Sequence, residues 1–141
     1  MNGYVRTVQN GGGGGNPFQD DLTEVCRLTG LNIRSGEYID ALQCIWSTPS
    51  GGTVTGTQNG GDGGTLSSFS LGAKEYIVTI SGRTGRYVDQ LTFTTNLGNV
   101  FGPFGGDGGD SFTLPDLNVG GFFGQSGDLL DAIGVFTAGQ C

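Results

Sequence analysis

The feature that most constrains this chain is a double repeat. Glycine clusters recur at "NGGGGGNPF" (Asn10 to Phe18), "NGGDGGTLS" (Asn59 to Ser67) and "FGGDGGDSF" (Phe104 to Phe112). A second pattern also occurs three times: "RSGEYIDAL" (Arg34 to Leu42), "RTGRYVDQL" (Arg83 to Leu91) and "QSGDLLDAI" (Gln125 to Ile133). Each copy places a glycine, three residues and an aspartate: Gly36 with Asp40, Gly85 with Asp89, Gly127 with Asp131. An apolar residue follows two places later, at Leu42, Leu91 and Ile133. Two motifs alternating at intervals of 40-odd residues make the chain three copies of one supersecondary unit.

The flanks say what the unit is. "EYIVTIS" sets Tyr76, Val78 and Ile80 on one face and Glu75, Ile77, Thr79 and Ser81 on the other, and "QLTFTT" alternates likewise. These are strands, bounded by Gly, Asn, Ser and Pro. A 3.6-residue apolar period is missing, so the GxxxD segments are read as turns between strands. Thirty glycines, about a fifth of the chain against a usual share of roughly 7%, would suit a disordered chain. The apolar fraction of 35% and the 10% aromatics argue instead for an all-β domain with glycine-rich turns. Three small antiparallel sheets around a pseudo-threefold axis would bury the apolar faces. Trp46, Phe69, Phe93, Phe122 and Phe136 are the candidates for the shared core, and residues 1–141 read as one domain.

Charge and composition exclude several function classes. A net charge of −7 with six Lys and Arg does not grip phosphate backbones, so no nucleic-acid partner is expected. The chain has no polybasic patch and no apolar run of spanning length, so no membrane insertion is expected. No histidine is present, which removes the commonest general base and metal ligand. The second and third turns show one clear Asp each, Asp128 with Asp131 is only a turn pair, and no nucleophile motif is present, so the chain does not read as an enzyme. Cys26, Cys44 and Cys141 form no CxxC spacing. Cys26 and Cys44 are expected in strands as small hydrophobes, with a disulfide between two of the three left open. "MNGYVRTVQN" has no apolar h-region, so no signal peptide is visible, which fits cytoplasmic synthesis or non-classical release.

An Asp in a turn offers two acceptor oxygens, and exposed backbone N–H groups beside it offer donors. A pyranose presents the complement: neighbouring hydroxyls to donate, hydroxyl and ring oxygens to accept. A glycine loop adds an amide that no Cβ keeps away from the sugar ring. Tyr38 and Tyr87, inside polar turns, are expected at the surface. Arg34 and Arg83 are expected as solvated strand residues, and the three aspartates as parts of exposed turns.

These motifs, with "LTFTTNLGNVFGPFGGDGG" (Leu91 to Gly109), resemble the jacalin-related lectins over nearly the whole chain, and the thrice-repeated GxxxD is similar to the family's three-site members. The resemblance implies a type I β-prism with three Greek-key sheets, and mannose- or glucose-type binding without cofactor or metal. In that family the motif Asp takes the 4- and 6-hydroxyls, the amides of the two middle residues reach the 6- and ring oxygens, and a loop glycine amide meets the 3-hydroxyl. Carried over, the first site joins Gly15 to Asp128, Leu129 and Asp131. The second joins Gly64 to Glu37, Tyr38 and Asp40, and the third joins Gly109 to Arg86, Tyr87 and Asp89. The first site departs from the three-site pattern twice: Leu129 stands where Tyr is usual, and its loop has no central Asp or Ser. Galactose-binding members use a free amino terminus beside the loop, whereas Met1 to Asn10 run continuously into Gly11. Homodimers occur in the family. A rival reading is a calcium-binding glycine-rich adhesion module, because "GGDGGDSFT" (Gly105 to Thr113) fits the GGxGxDxUx repeat of calcium β-rolls.

Overall fold

A computed structural model describes residues 3–139. Among them lie fourteen strands and no helix. One sheet holds β9 (Ile77–Thr84), β10 (Val88–Thr95), β11 (Val100–Gly105) and β12 (Asp110–Leu114) in the order β11-β10-β9-β12. This is a Greek key, with the last strand returning beside the first. A second sheet repeats it with β4 (Arg27–Ser35), β5 (Ile39–Ser47) and β8 (Thr65–Ser70). There the outer place beside β5 is divided between β6 (Thr53–Thr55) and β7 (Asn59–Gly60). The remaining sheet draws on both ends of the chain. Its hairpin is β13 (Val119–Ser126) and β14 (Leu130–Thr137); β3 (Asn16–Gln19) flanks β13, and β1 (Val5–Arg6) and β2 (Asn10–Gly11) flank β14.

The inner strands β5, β10 and β14 each touch the other two, which makes the assembly three-sided. Leu42, Leu91 and Ile133, two places after each motif aspartate, are buried on these strands. All five aromatic core candidates are buried as well, with Phe93 at 0% exposure. Alternation along β10 buries Leu91, Phe93 and Thr95 in turn. Polar ties join two of the sheets. Trp46 Nε1 donates to the Gly120 carbonyl at 2.7 Å, and Cys44 Sγ donates to Asp20 Oδ2 at 3.4 Å.

Two expectations are corrected here. In β9 the inward residues are Ile77 and Ile80, while Tyr76 is 39% exposed. The register slips between Thr94 and Thr95, leaving Val78 as an extra residue opposite them. Such a bulge resets the two-residue alternation, so a strict face assignment fails across it. Cys26 stands just ahead of β4, half-buried, and is disulfide-bonded rather than a strand thiol. Cys44 is the free, buried cysteine in β5, where burial and the neighbouring Asp20 carboxylate push its thiol pKa well up. Cys141 lies outside the described residues.

Phe93 lies centrally, tilted against Phe69 at a centroid distance of 5.6 Å and against Phe104 at 6.3 Å. Phe93→Ala should cost about 3–5 kcal/mol in urea denaturation, as core aromatic deletions do. Leu97→Ala, at 63% exposure, should stay within about 0.5 kcal/mol of the parent. Equal losses for the two variants would contradict this placement of the core.

Candidate functional site

Each GxxxD segment links the two central strands of one sheet and closes in the same way. Gly36 N–H donates to the Tyr38 carbonyl, Gly85 N–H to that of Tyr87, and Gly127 N–H to that of Leu129, each at 2.9 Å. The next residues pair across the hairpin, but the aspartate is skipped. Ser35 pairs with Ile39 and Arg34 with Ala41, leaving Asp40 as the extra residue of a bulge. Asp89 is skipped between Val88 and Gln90, and Asp131 between Leu130 and Ala132. A bulge re-aims the side chain it carries. It also frees the aspartate's carbonyl, which accepts from the glycine loop: Gly61 N–H to Asp40 O at 3.0 Å, Gly106 N–H to Asp89 O at 2.8 Å, Gly12 N–H to Asp131 O at 2.9 Å.

The loop then wraps the carboxylate. Gly15, Gly64 and Gly109 adopt φ of +73°, +70° and +72°, a left-handed conformation that favours glycine. A Cβ on Gly64 would stand 2.6 Å from Asp40 Oδ1, and one on Gly63 would stand 2.7 Å from Oδ2. Gly109 and Gly108 hold Asp89 in the same way, as do Gly15 and Gly14 with Asp131. The chain thus brings Gly15 to Asp131, Gly64 to Asp40 and Gly109 to Asp89. Glu37, Arg86 and Asp128 are exposed beside them, and Tyr38, Tyr87 and Leu129 are half-buried. The rings of Tyr38 and Tyr87 meet edge to face at 5.1 Å.

The aspartates are not exposed, contrary to expectation: Asp40, Asp89 and Asp131 are 9%, 6% and 5% exposed. Two other buried acids show what a structural carboxylate looks like here. Glu75 accepts from Gly72 N–H, Thr95 Oγ1 and Asn99 Nδ2, which hold its pKa below the usual value. Asp20 accepts from Phe122 N–H at 2.8 Å, Cys44 Sγ and Asn59 Nδ2. Among the described residues, by contrast, no donor reaches the carboxylates of Asp40, Asp89 or Asp131, and their oxygens are not among the buried polar atoms. Burial raises all three pKa values above the ordinary 3.8.

Arginines modulate two of the three sites. Arg83 donates from Nε to the Gly108 carbonyl at 3.0 Å and from Nη2 to that of Gly109 at 2.7 Å. Arg34 Nη1 reaches the Asp62 carbonyl at 3.2 Å. Both therefore brace the glycine loops rather than simply facing water, and their charges pull the pKa values of Asp40 and Asp89 back down. Gln125 holds the corresponding place near Asp131, where no such charge acts. Glutamines brace the loop tips: Gln58 Nε2 donates to the Gly61 carbonyl and to Asp62 Oδ1, and Gln90 Nε2 donates to the Gly106 carbonyl. The recurrence of Arg two places before the motif glycine, and its replacement by Gln125, was the available sequence signal. Gln58 and Gln90 stand at unrelated places in the repeat and gave none.

The three sites also lean on one another. A Cβ on Gly12 would lie 2.1 Å from the Arg86 carbonyl, one on Gly61 2.3 Å from that of Asp128, and one on Gly106 2.5 Å from that of Glu37. The first loop thus abuts the third turn, the second loop the first turn, and the third loop the second turn. This ring gathers all three turns in one region. Two cavities, of ≈350 Å³ beside Tyr4 and Arg27 and ≈710 Å³ between Phe18 and Trp46, include no GxxxD residue. Among the described residues no group of three or more Cys, Asp or Glu is arranged to hold a metal ion. Gly105 to Thr113 runs through a loop into β12 of an antiparallel sheet, not through the stacked turns that calcium β-rolls need.

The sequence profile of the jacalin-like lectin domain matches residues 8–136. Griffithsin from Griffithsia sp. is 37% identical over 128 residues, covering 89% of this chain and 91% of griffithsin. A mannose-binding jacalin-related lectin from Ananas comosus superposes with a TM-score of 0.85 at 34% identity, covering 94% of this chain and 96% of that one. Artocarpin in complex with mannopentose superposes with a TM-score of 0.87 at 28% identity, covering 98% and 99%. The three antiparallel sheets are the β-prism of these lectins.

Two predictions follow from the geometry. In a carbon-detected NMR titration, Arg34→Gln should raise the Asp40 pKa and Gln125→Arg should lower that of Asp131. Because the folded-state values are raised, the stability these groups contribute is complete below the unfolded value of 3.8 and is lost as pH rises through the folded value. Unchanged titrations would mean the arginine charge does not act on the carboxylate. Gly61→Ala should shift amide resonances at residues 127–131, in the turn of a different site; shifts confined to 58–65 would break the ring.

Proposed function

The chain belongs to the jacalin-like lectin domain family, and from that membership we propose that it binds mannose-type glycans through three like sites. The observation that carries this reading is the set of three buried aspartates whose carboxylates have no protein donor. The oxygens are not among the buried polar atoms, so they open to solvent with their lone pairs unclaimed by the protein, where a vicinal diol can donate to both. Gly15, Gly64 and Gly109 keep backbone within reach of the same recess, since any Cβ there would meet the carboxylate. Asp131 with Asp128 and Leu129, Asp40 with Glu37 and Tyr38, and Asp89 with Arg86 and Tyr87 form the three binding sets.

Binding at each recess is weak and needs no metal or cofactor. An affinity near ~1 mM corresponds to about 4 kcal/mol. Strength comes from the ring of loops and turns, which places the sites together. On a branched oligomannose, simultaneous engagement multiplies affinity by about 10²–10⁴. Each recess holds one buried carboxylate and no nucleophile, so the reading is recognition without bond cleavage, by one lectin domain over residues 1–141.

Because the aspartates are buried, Asp→Asn is the conservative test: it keeps the shape and removes the charged acceptor. Calorimetry with methyl α-mannoside should give three sugars per chain, fewer by one for each of Asp40→Asn, Asp89→Asn and Asp131→Asn. Galactose, whose axial 4-hydroxyl points away from the acceptor, should not compete. Wild-type stoichiometry in the triple variant, or preferential inhibition by galactose, would overturn the assignment. Chelator should leave binding unchanged.

A further inference from the structure

The ring of loops and turns has three seams, and they differ in charge. Where the second loop meets the first turn, the turn residue is Asp128 and the loop tip carries Asp62. Where the third loop meets the second turn, the turn residue is Glu37 and the loop tip carries Asp107. Both seams are acidic on each side. At the remaining seam the turn residue is Arg86, and the first loop carries Gly13 where the others carry aspartate. The two departures from the repeat thus fall on the same seam, where the backbone of Arg86 meets a loop whose tip carries no carboxylate.

The Arg86 guanidinium is exposed and unengaged: among the described residues it has no hydrogen bond, ion pair or ring contact. Four other arginines are engaged. Arg6 lies over Phe123, Arg27 bonds the Glu75 carbonyl, and Arg34 and Arg83 brace loops. With a net charge of −7, the field of the chain repels anions, so any anion preference must be local.

We propose that the seam between Arg86 and the tip of the first glycine loop is a subsite for an oxyanion, phosphate or sulfate, carried on a mannose-type sugar seated at Asp89. This rests on the mannose-site reading above. Arginine's planar fork matches such an oxyanion with two parallel hydrogen bonds. Asp89 belongs to the same turn, three residues on, so one sugar spans both groups. The oxyanion must sit on a position that does not face the carboxylate, which leaves the anomeric and 2-positions when the 3-, 4- and 6-hydroxyls are bound. The sites bordered by Glu37 and Asp128 repel the same group.

The probes are α-mannose 1-phosphate and methyl α-mannoside 2-sulfate, compared by calorimetry with methyl α-mannoside. At least one anionic sugar should bind one site per chain about tenfold tighter than the neutral sugar, and the two arms tell phosphate at the anomeric side from sulfate at C2. Arg86→Gln should bring the ratio of anionic to neutral affinity to one or below. Gly13→Asp, whose added Cβ meets open space, should reduce that ratio. Neutral binding with no anion preference, or a preference that survives Arg86→Gln, overturns this proposal and leaves the mannose reading standing. Failure of methyl α-mannoside to bind at all overturns both.

Discussion

Everything at the functional end of this protein depends on how the carboxylate of a largely buried aspartate is held without a protein donor. Asp40, Asp89 and Asp131 are enclosed by the α-carbons of two glycines each, and glycine can approach a carboxylate oxygen this closely only because it has no Cβ. The β-bulge that skips each aspartate sends its carbonyl to the loop N–H and its side chain into the recess. The protein thus spends its local hydrogen bonds on the aspartate's backbone and withholds them from its side chain. Asp20 and Glu75 show that the same fold saturates buried acids elsewhere. The contrast sets these three carboxylates apart from the structural ones of the same fold.

Threefold repetition does more than multiply this recess. Because each glycine loop rests on the turn of another site, the sites form one continuous surface. Their differences then matter at the seams. The first loop, with glycine at every place from 11 to 15, has neither a tip carboxylate nor an arginine brace, since Gln125 replaces the arginine. It is also the loop against which Arg86 leans. A departure within one site's own loop thereby changes the surroundings of its neighbour.

The repeat made the architecture legible. Three glycine clusters and three GxxxD segments in a matching rhythm specify three like units, and the apolar residue two places beyond each Asp marks the core. Pairing of Gly64 with Asp40, and its counterparts, followed from the family resemblance, and the fold brings those residues together. Other features were not legible because they depend on register or on distant partners. A bulge adds one residue to a strand without a composition signature, so the inward faces of Ile77 and Ile80 and the burial of Asp89 were misread. The arginine braces bridge about 25 residues, and the cyclic contacts between loops and turns exist only once the three sheets have packed. Cys26 looked like a strand hydrophobe because nothing local marks a disulfide.

The central claim is that the three carboxylates without a protein donor, with their glycine loops, are where sugar binds. An amide-resolved NMR titration of the intact chain with methyl α-mannoside tests it most directly. The account predicts saturable shifts at residues 12–15, 61–64 and 106–109 and in the turns 36–40, 85–89 and 127–131, with the rest of the prism quiet. Shifts centred instead on the cavity beside Tyr4 and Arg27, or on the groove between Phe18 and Trp46, would contradict it.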